Sequence, residues 1–171
     1  VLKKDSVQVF NMDKEPVEKK VTHVEWDISA AEKGGYEHFM AKEIMEQPKA
    51  VRDTISPRLR GGRVVFDEIS LTPEQIRSFS KIFIVACGPA YHVGVVAKYV
   101  LEQTVRIPVE VDVASEFRYR SPILGPNTLV LVISQSGETA DTLAALREAT
   151  RLGAYTLSIV NVVGSTIANE S

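Results

Sequence analysis

From residue 81 onward the chain alternates short, almost wholly apolar runs with helix-length amphipathic stretches, a rhythm that restricts it to very few architectures. The runs cover 82–86 (IFIVA), 109–113 (VEVDV), 128–133 (TLVLVI) and 156–160 (TLSIV). A strand with one wet face alternates polar and apolar residues, whereas a parallel strand covered on both faces is apolar almost throughout. Three of the runs fit the second pattern, while 109–113 alternates and is expected nearer an edge. Helices are expected at 90–103, 114–119 and 139–152, the last stopped by Gly153, a residue suited to a left-handed C-cap. This alternation predicts an α/β fold, a doubly wound and mainly parallel sheet with right-handed crossovers and helices on both faces. Such sheets bind ligands at the carboxyl ends of their strands.

The first part of the chain reads differently. Two β-rich runs, 6–10 and 21–26, flank the polar, turn-prone stretch 11–16, which predicts a β-hairpin within 1–30. Phe39, Met40, Ile44, Met45 and Val51 then recur at helical spacing, with Pro48 expected to break or kink the segment, so 31–75 is read as a connector containing a linker helix. Gly61-Gly62 precedes a short strand candidate at 63–66, and Thr72-Pro73 opens a helix with an N-cap hydroxyl followed by proline at the first helical position. The α/β domain occupies 76–171.

Charge and composition exclude several functions. A net charge of -2 and the lack of a basic cluster interleaved with aromatics argue against nucleic acid as a partner. No apolar run approaches the roughly 20 residues needed to span a bilayer, and no secretory pattern opens the chain, so no membrane association and a cytoplasmic location are expected. Cys87, the single cysteine, rules out an internal disulfide and a cysteine-rich zinc site. His23 and His38 have no cysteine or carboxylate at ligand spacing, so no metal is expected. Trp26 is read as capping a small apolar cluster. A start at Val1 rather than methionine, and an end at Ser171 just after a strand, suggest a piece of a longer protein.

Two strand ends carry polar loops, Cys87-Gly88-Pro89-Ala90-Tyr91-His92 and Ser134-Gln135-Ser136-Gly137-Glu138-Thr139. The second gathers three hydroxyls and an amide beside a glycine, at the point where the following helix would aim free N–H groups. That combination suits a phosphate without needing a cation. Neither a P-loop nor a dinucleotide fingerprint is present, so no nucleotide cofactor is expected. Residue pattern alone leaves two readings open. The loop is an anion cradle, or it is only a capped helix start in which Ser136 with Thr139, or Thr139 with Thr142, satisfies the orphan amides. Cys87 and His92, five positions apart across a turn, are read as a small residue at the end of a buried strand and a packed or partly exposed helix residue rather than as a nucleophile and its base. Glu138 is read as favouring a helix N-terminus rather than as a ligand contact.

The motifs Cys87-Gly88-x-x-Tyr91-His92-x-Gly94, VEVDVASEFRYR at 109–120 and SQSGETADTL at 134–143 resemble the first sugar-isomerase (SIS) domain of the glutamine–fructose-6-phosphate aminotransferase (glucosamine-6-phosphate synthase) family. The resemblance extends upstream through Ala31-Glu32-Lys33-Gly34-Gly35-Tyr36 and Phe39-Met40-x-Lys42-Glu43-Ile44, and downstream through Asn161-Val162-Val163-Gly164-Ser165. It implies a flavodoxin- or Rossmann-like SIS domain at 76–171, the family's connector at 31–75 and the end of its glutaminase domain at 1–30. Phosphate contacts carry over onto Ser134, Gln135, Ser136 and Thr139. Gly88, Pro89 and Ala90 fall where the family has a sugar-contacting loop, but the family's hydroxyl is missing and Pro89 removes one backbone donor. The lysine, glutamate and histidine that do the family's isomerase chemistry map onto nothing here, and Cys87 is not its glutaminase nucleophile. No catalytic residue is therefore expected in this stretch. The resemblance further implies a cytoplasmic, homodimeric enzyme converting fructose 6-phosphate to glucosamine 6-phosphate, with L-glutamine supplying ammonia at a separate domain. A sugar-phosphate-sensing SIS domain of a regulator and a stand-alone phosphosugar isomerase are the other readings. The first is disfavoured by the absence of a basic recognition helix, the second by the connector.

Overall fold

A computed structural model describes residues 1–20, 32–67 and 69–171. The expected strand at 21–26, with His23 and Trp26, lies outside the described residues, as does Ala31. The chain forms two compact units, Val1–Asp67 and Glu68–Ser171.

In the first unit β1 (Leu2–Lys3) pairs antiparallel with β2 (Ser6–Val7), in the register Leu2↔Val7 and Lys3↔Ser6. Part of the run at 6–10 therefore pairs with the segment before it, because a partner across a two-residue turn costs the least chain entropy to reach. The polar stretch after it does turn. Asn11 Oδ1 accepts the Glu15 N–H (2.9 Å), and Val17 donates its N–H back to the Val9 carbonyl (2.8 Å). Helix α1 (Phe39–Ile55) runs on through Pro48, whose neighbours are exposed, so water can take the place of the missing backbone bond. Its apolar residues Phe39, Met40, Ile44, Met45 and Val51 are exposed within this unit. β3 (Leu59–Arg60) and β4 (Arg63–Val64) form a two-residue hairpin whose Gly61 and Gly62 both have positive φ (58° and 75°), the geometry only glycine adopts freely there.

The second unit holds the sheet. Thr72 caps α2 (Pro73–Ser78) in a reciprocal box with Gln75, as its Thr-Pro start predicts. β5 (Lys81–Ala86), β6 (Val109–Val113), β7 (Thr128–Ser134) and β8 (Tyr155–Val160) then make a fully parallel sheet in the order β6-β5-β7-β8. The crossovers are α3 (Pro89–Val105), α4 (Ala114–Phe117) and α5 (Ala140–Arg151), and α6 (Thr166–Glu170) follows β8. Side chains alternate across the sheet and build two cores. Ile82, Ile84 and Val109 pack with Ala97 and Leu101 of α3, while Phe83, Val85, Val130 and Val132 pack with Phe117, Ala145, Leu146, Ala149 and Ile167 from α4, α5 and α6. None of the described helices is long and apolar enough to cross a membrane.

The alternating run at 109–113 is an edge strand, as expected. The run at 156–160 is also an edge among the described residues, although its composition suggested cover on both faces. Helices α5 and α6 pack over β8, whereas α3 packs mainly against β5, β6 and β7, and Ile159, level with Ile133, is left 56% exposed.

Gly94 sets how closely α3 approaches the sheet. A Cβ there would stand 2.9 Å from Ile84 Cγ2 and 3.1 Å from Val111 Cγ1, both on rigid β-branched side chains. Mid-helix Gly→Ala ordinarily gains about 1 kcal/mol of helix propensity, whereas overpacking a core costs about 1–3 kcal/mol. Gly94→Ala is therefore expected to destabilise the unit by about 1 kcal/mol net. A gain in urea unfolding would show that α3 can lift at no cost.

Candidate functional site

Strand order locates the crevice. From the neighbouring strands β5 and β7 the chain leaves in opposite directions, through α3 to β6 and through α5 to β8, and the two helices cover opposite faces. The loops after β5 and β7 thus flank the topological switch point, where doubly wound sheets leave an open cleft. These are the two polar loops singled out by sequence. Ala86 and Ile133 are register partners, so the loops begin level with each other. A direct contact ties the first loop to the helix that follows the second, since the Thr142 hydroxyl of α5 donates to Cys87 Sγ (3.8 Å).

After β7 the loop closes on itself. Gly137 N–H donates to Ser134 Oγ (3.0 Å), Glu138 N–H donates to Ser136 Oγ (3.1 Å), and Ser134 Oγ lies 3.2 Å from Thr139 Oγ1. Ser134 is buried, Ser136 and Thr139 are half-buried, and the Gln135 side chain is exposed. The hydroxyls accept backbone N–H groups and so retain protons to give. Within the Ser134–Thr139 pair one O–H donates to the other, leaving one proton free, and the Ser136 O–H supplies a second. Thr139 is the N-cap of α5, yet it makes no side-chain cap bond, because its hydroxyl is turned to Ser134. The first-turn amides of α5 therefore lack the usual capping acceptor. Of the cap bonds the sequence allowed, Thr139 makes none with its side chain, while Ser136 Oγ accepts the Glu138 N–H.

Arg118, just past α4, pairs with Asp141 in the first turn of α5 (2.9 Å) and neutralises a carboxylate that would repel an anion at this helix end. Sequence reading missed that role, since 23 residues separate the partners.

The loop after β5 is plainer. Gly88 takes φ 57° and ψ -137°, which a side chain would resist, and Pro89 fits the first position of α3, where an N–H has no helical partner. Gly88 and Pro89 are exposed and Ala90 is half-buried. Cys87 packs against the core beside Thr142, whereas His92 is exposed and its ring meets Tyr91.

Behind the loop after β7 stands the connection from β8 to α6. Asn161 N–H donates to the Gln135 carbonyl (3.3 Å) and Ile167 N–H to the Gly137 carbonyl (3.0 Å), while Thr166 N–H donates to Glu138 Oε1 (2.8 Å). Glu138 does serve a helix N-terminus, but that of α6 rather than α5. The Thr166 N–H, and the Thr166 side chain after it, hold its carboxyl below the usual range. Gly137 has φ 67°, and a Cβ on it would fall 2.0 Å from the hydroxyl of buried Ser165. A Gly-Ser-Thr stretch could have signalled a helix start at 164–166, but not what it rests on.

Known proteins share this fold. Residues 75–171 match the SIS domain family. The whole chain is 60% identical to a glutamine–fructose-6-phosphate aminotransferase of Clostridium acetobutylicum and 56% identical to one of Caldanaerobacter subterraneus, spanning 28% of each. Among solved structures, the C-terminal domain of glucosamine-fructose-6-phosphate aminotransferase from Francisella tularensis superposes with a TM-score of 0.76 at 42% identity, covering 82% of this chain and 39% of that one. With a parallel switch-point sheet, a hydroxyl-rich loop on its third strand in sequence and similarity at every level of comparison, the chain belongs to the SIS-domain family and resembles one segment of the aminotransferases that contain it.

Proposed function

We propose that this chain supplies the sugar-phosphate-binding site of a glutamine–fructose-6-phosphate aminotransferase, which makes glucosamine 6-phosphate from fructose 6-phosphate with nitrogen from L-glutamine. The observation that carries the reading is the diverted cap. Thr139 turns from its helix to Ser134, which leaves the first-turn amides of α5 without a side-chain cap and two hydroxyl protons to give in the same loop. In this reading Ser134, Ser136 and Thr139 hold the phosphate with Gln135 at its rim, and Gly88, Pro89 and Ala90 border the sugar. The relatives, which are glutamine–fructose-6-phosphate aminotransferases, support fructose 6-phosphate as the sugar phosphate and glutamine as the amide donor in this reading. Residues 76–171 form the first SIS domain, 31–75 the connector and 1–30 the end of a glutaminase domain, in a cytoplasmic homodimer. The chain binds and orients substrate, while proton transfer between C1 and C2 falls to groups outside it.

Isothermal calorimetry tests this. Fructose 6-phosphate is expected to bind, inorganic phosphate to compete, and fructose to give no heat. Equal binding of fructose, or indifference to phosphate, would remove the loop from the site.

A further inference from the structure

The start of α6 is capped from outside. Ser165 occupies the N-cap position with extended backbone, where a serine hydroxyl ordinarily accepts the N–H of the second or third helical residue. Here it accepts neither. The Thr166 N–H goes to the Glu138 carboxylate and the Ile167 N–H to the Gly137 carbonyl, both in the loop after β7. Ser165 Oγ is left buried and without a hydrogen-bond partner, pressed where a Cβ of Gly137 would be. A buried orphan hydroxyl at a capping position calls for an explanation, and the Gly137 carbonyl, which has taken the Ile167 N–H while Glu138 holds the Thr166 N–H beside it, provides it.

We propose that Glu138 is a positioning residue of the anion loop, which caps α6 in trans and is held in its binding shape by that cap rather than by contact with the ligand. This rests on the sugar-phosphate reading of the loop. The Glu138 carboxylate is engaged by the Thr166 N–H, and the Glu138 backbone N–H is the one that Ser136 Oγ accepts. Losing the cap would therefore loosen the turn that aims the Ser136 hydroxyl, without removing any group that touches phosphate.

The test uses the full chain and three variants, with fructose 6-phosphate affinity from calorimetry, thermal midpoint, and amide exchange at Thr166 and Ile167. Glu138→Ala is expected to weaken affinity about 10-fold, the size of one hydrogen bond to a charged group, and to lose Thr166 protection with little change in midpoint. Glu138→Gln keeps an acceptor and is expected to restore both. Ser165→Ala should leave affinity and midpoint unchanged, whereas loss of a working N-cap serine lowers the midpoint of a domain the size of this unit by about 4–8 °C. The proposal is overturned if Glu138→Ala binds as tightly as the parent chain. It is equally overturned if Glu138→Gln fails while Thr166 stays protected, which would make the carboxylate a ligand contact, or if Ser165→Ala shows the ordinary capping loss. A parent chain that binds no fructose 6-phosphate would instead sink the sugar-phosphate reading, and Thr166 exchange in Glu138→Ala would still decide who caps α6.

Discussion

Gly137→Ala is expected to lower the stability of the α/β unit by about 2–5 kcal/mol and to abolish sugar-phosphate binding. Two costs combine. At φ 67° a side chain pays about 1–2 kcal/mol for the left-handed conformation. The added methyl would also lie 2.0 Å from Ser165 Oγ and 2.5 Å from Ser165 Cβ, so the loop or α6 must move, at the about 1–3 kcal/mol typical of overpacking. Either movement breaks the Ile167-to-Gly137 bond or the Gly137-to-Ser134 bond. The total is a large share of the about 5–15 kcal/mol that holds a domain together. Gly125→Ala is the control, because that glycine has neither a positive φ nor a neighbour within 4 Å, and it should stay within about 0.5 kcal/mol. Urea unfolding of the two variants decides the matter. A Gly137→Ala chain as stable as the control would mean the loop has room that its geometry denies.

The second large effect is expected from Ser134→Ala combined with Ser136→Ala. Each hydroxyl that donates to a charged oxygen contributes about 1.5–3 kcal/mol, so losing both should weaken fructose 6-phosphate binding by about 10²–10⁴-fold. The two positions differ in stability. Ser134 Oγ accepts the N–H of buried Gly137, and leaving that donor unpaired costs about 1–3 kcal/mol. Ser136 Oγ serves Glu138, which is exposed and can turn to water. Ser136→Ala alone should therefore keep its thermal midpoint and still bind about 10-fold more weakly. Unchanged calorimetric affinity in the double variant would defeat the phosphate assignment.

Local patterns reached far into this molecule. The apolar runs located β5 and β7 to within a residue, because a buried parallel strand must be apolar on both faces and few other structures require that, and the alternating run located β6 at an edge. Thr72-Pro73 and Gly153 marked helix ends through backbone chemistry confined to a few residues. The loop at 134–139 was visible because hydroxyls, a glycine and a helix start lay together in sequence. The edge position of β8 was not visible, since composition records what a strand could bury but not which helices arrive to cover it.

The sequence by itself determined the fold class, the strand that bears the polar loop and the residue types available there, because each follows from interactions within a dozen residues. Only the tertiary structure decided which helix Glu138 caps, why Arg118 matters to α5 and why position 137 has no room for a side chain. Those answers depend on groups 23 to 28 residues apart that meet only after the sheet has formed, and no local spacing encodes such a meeting.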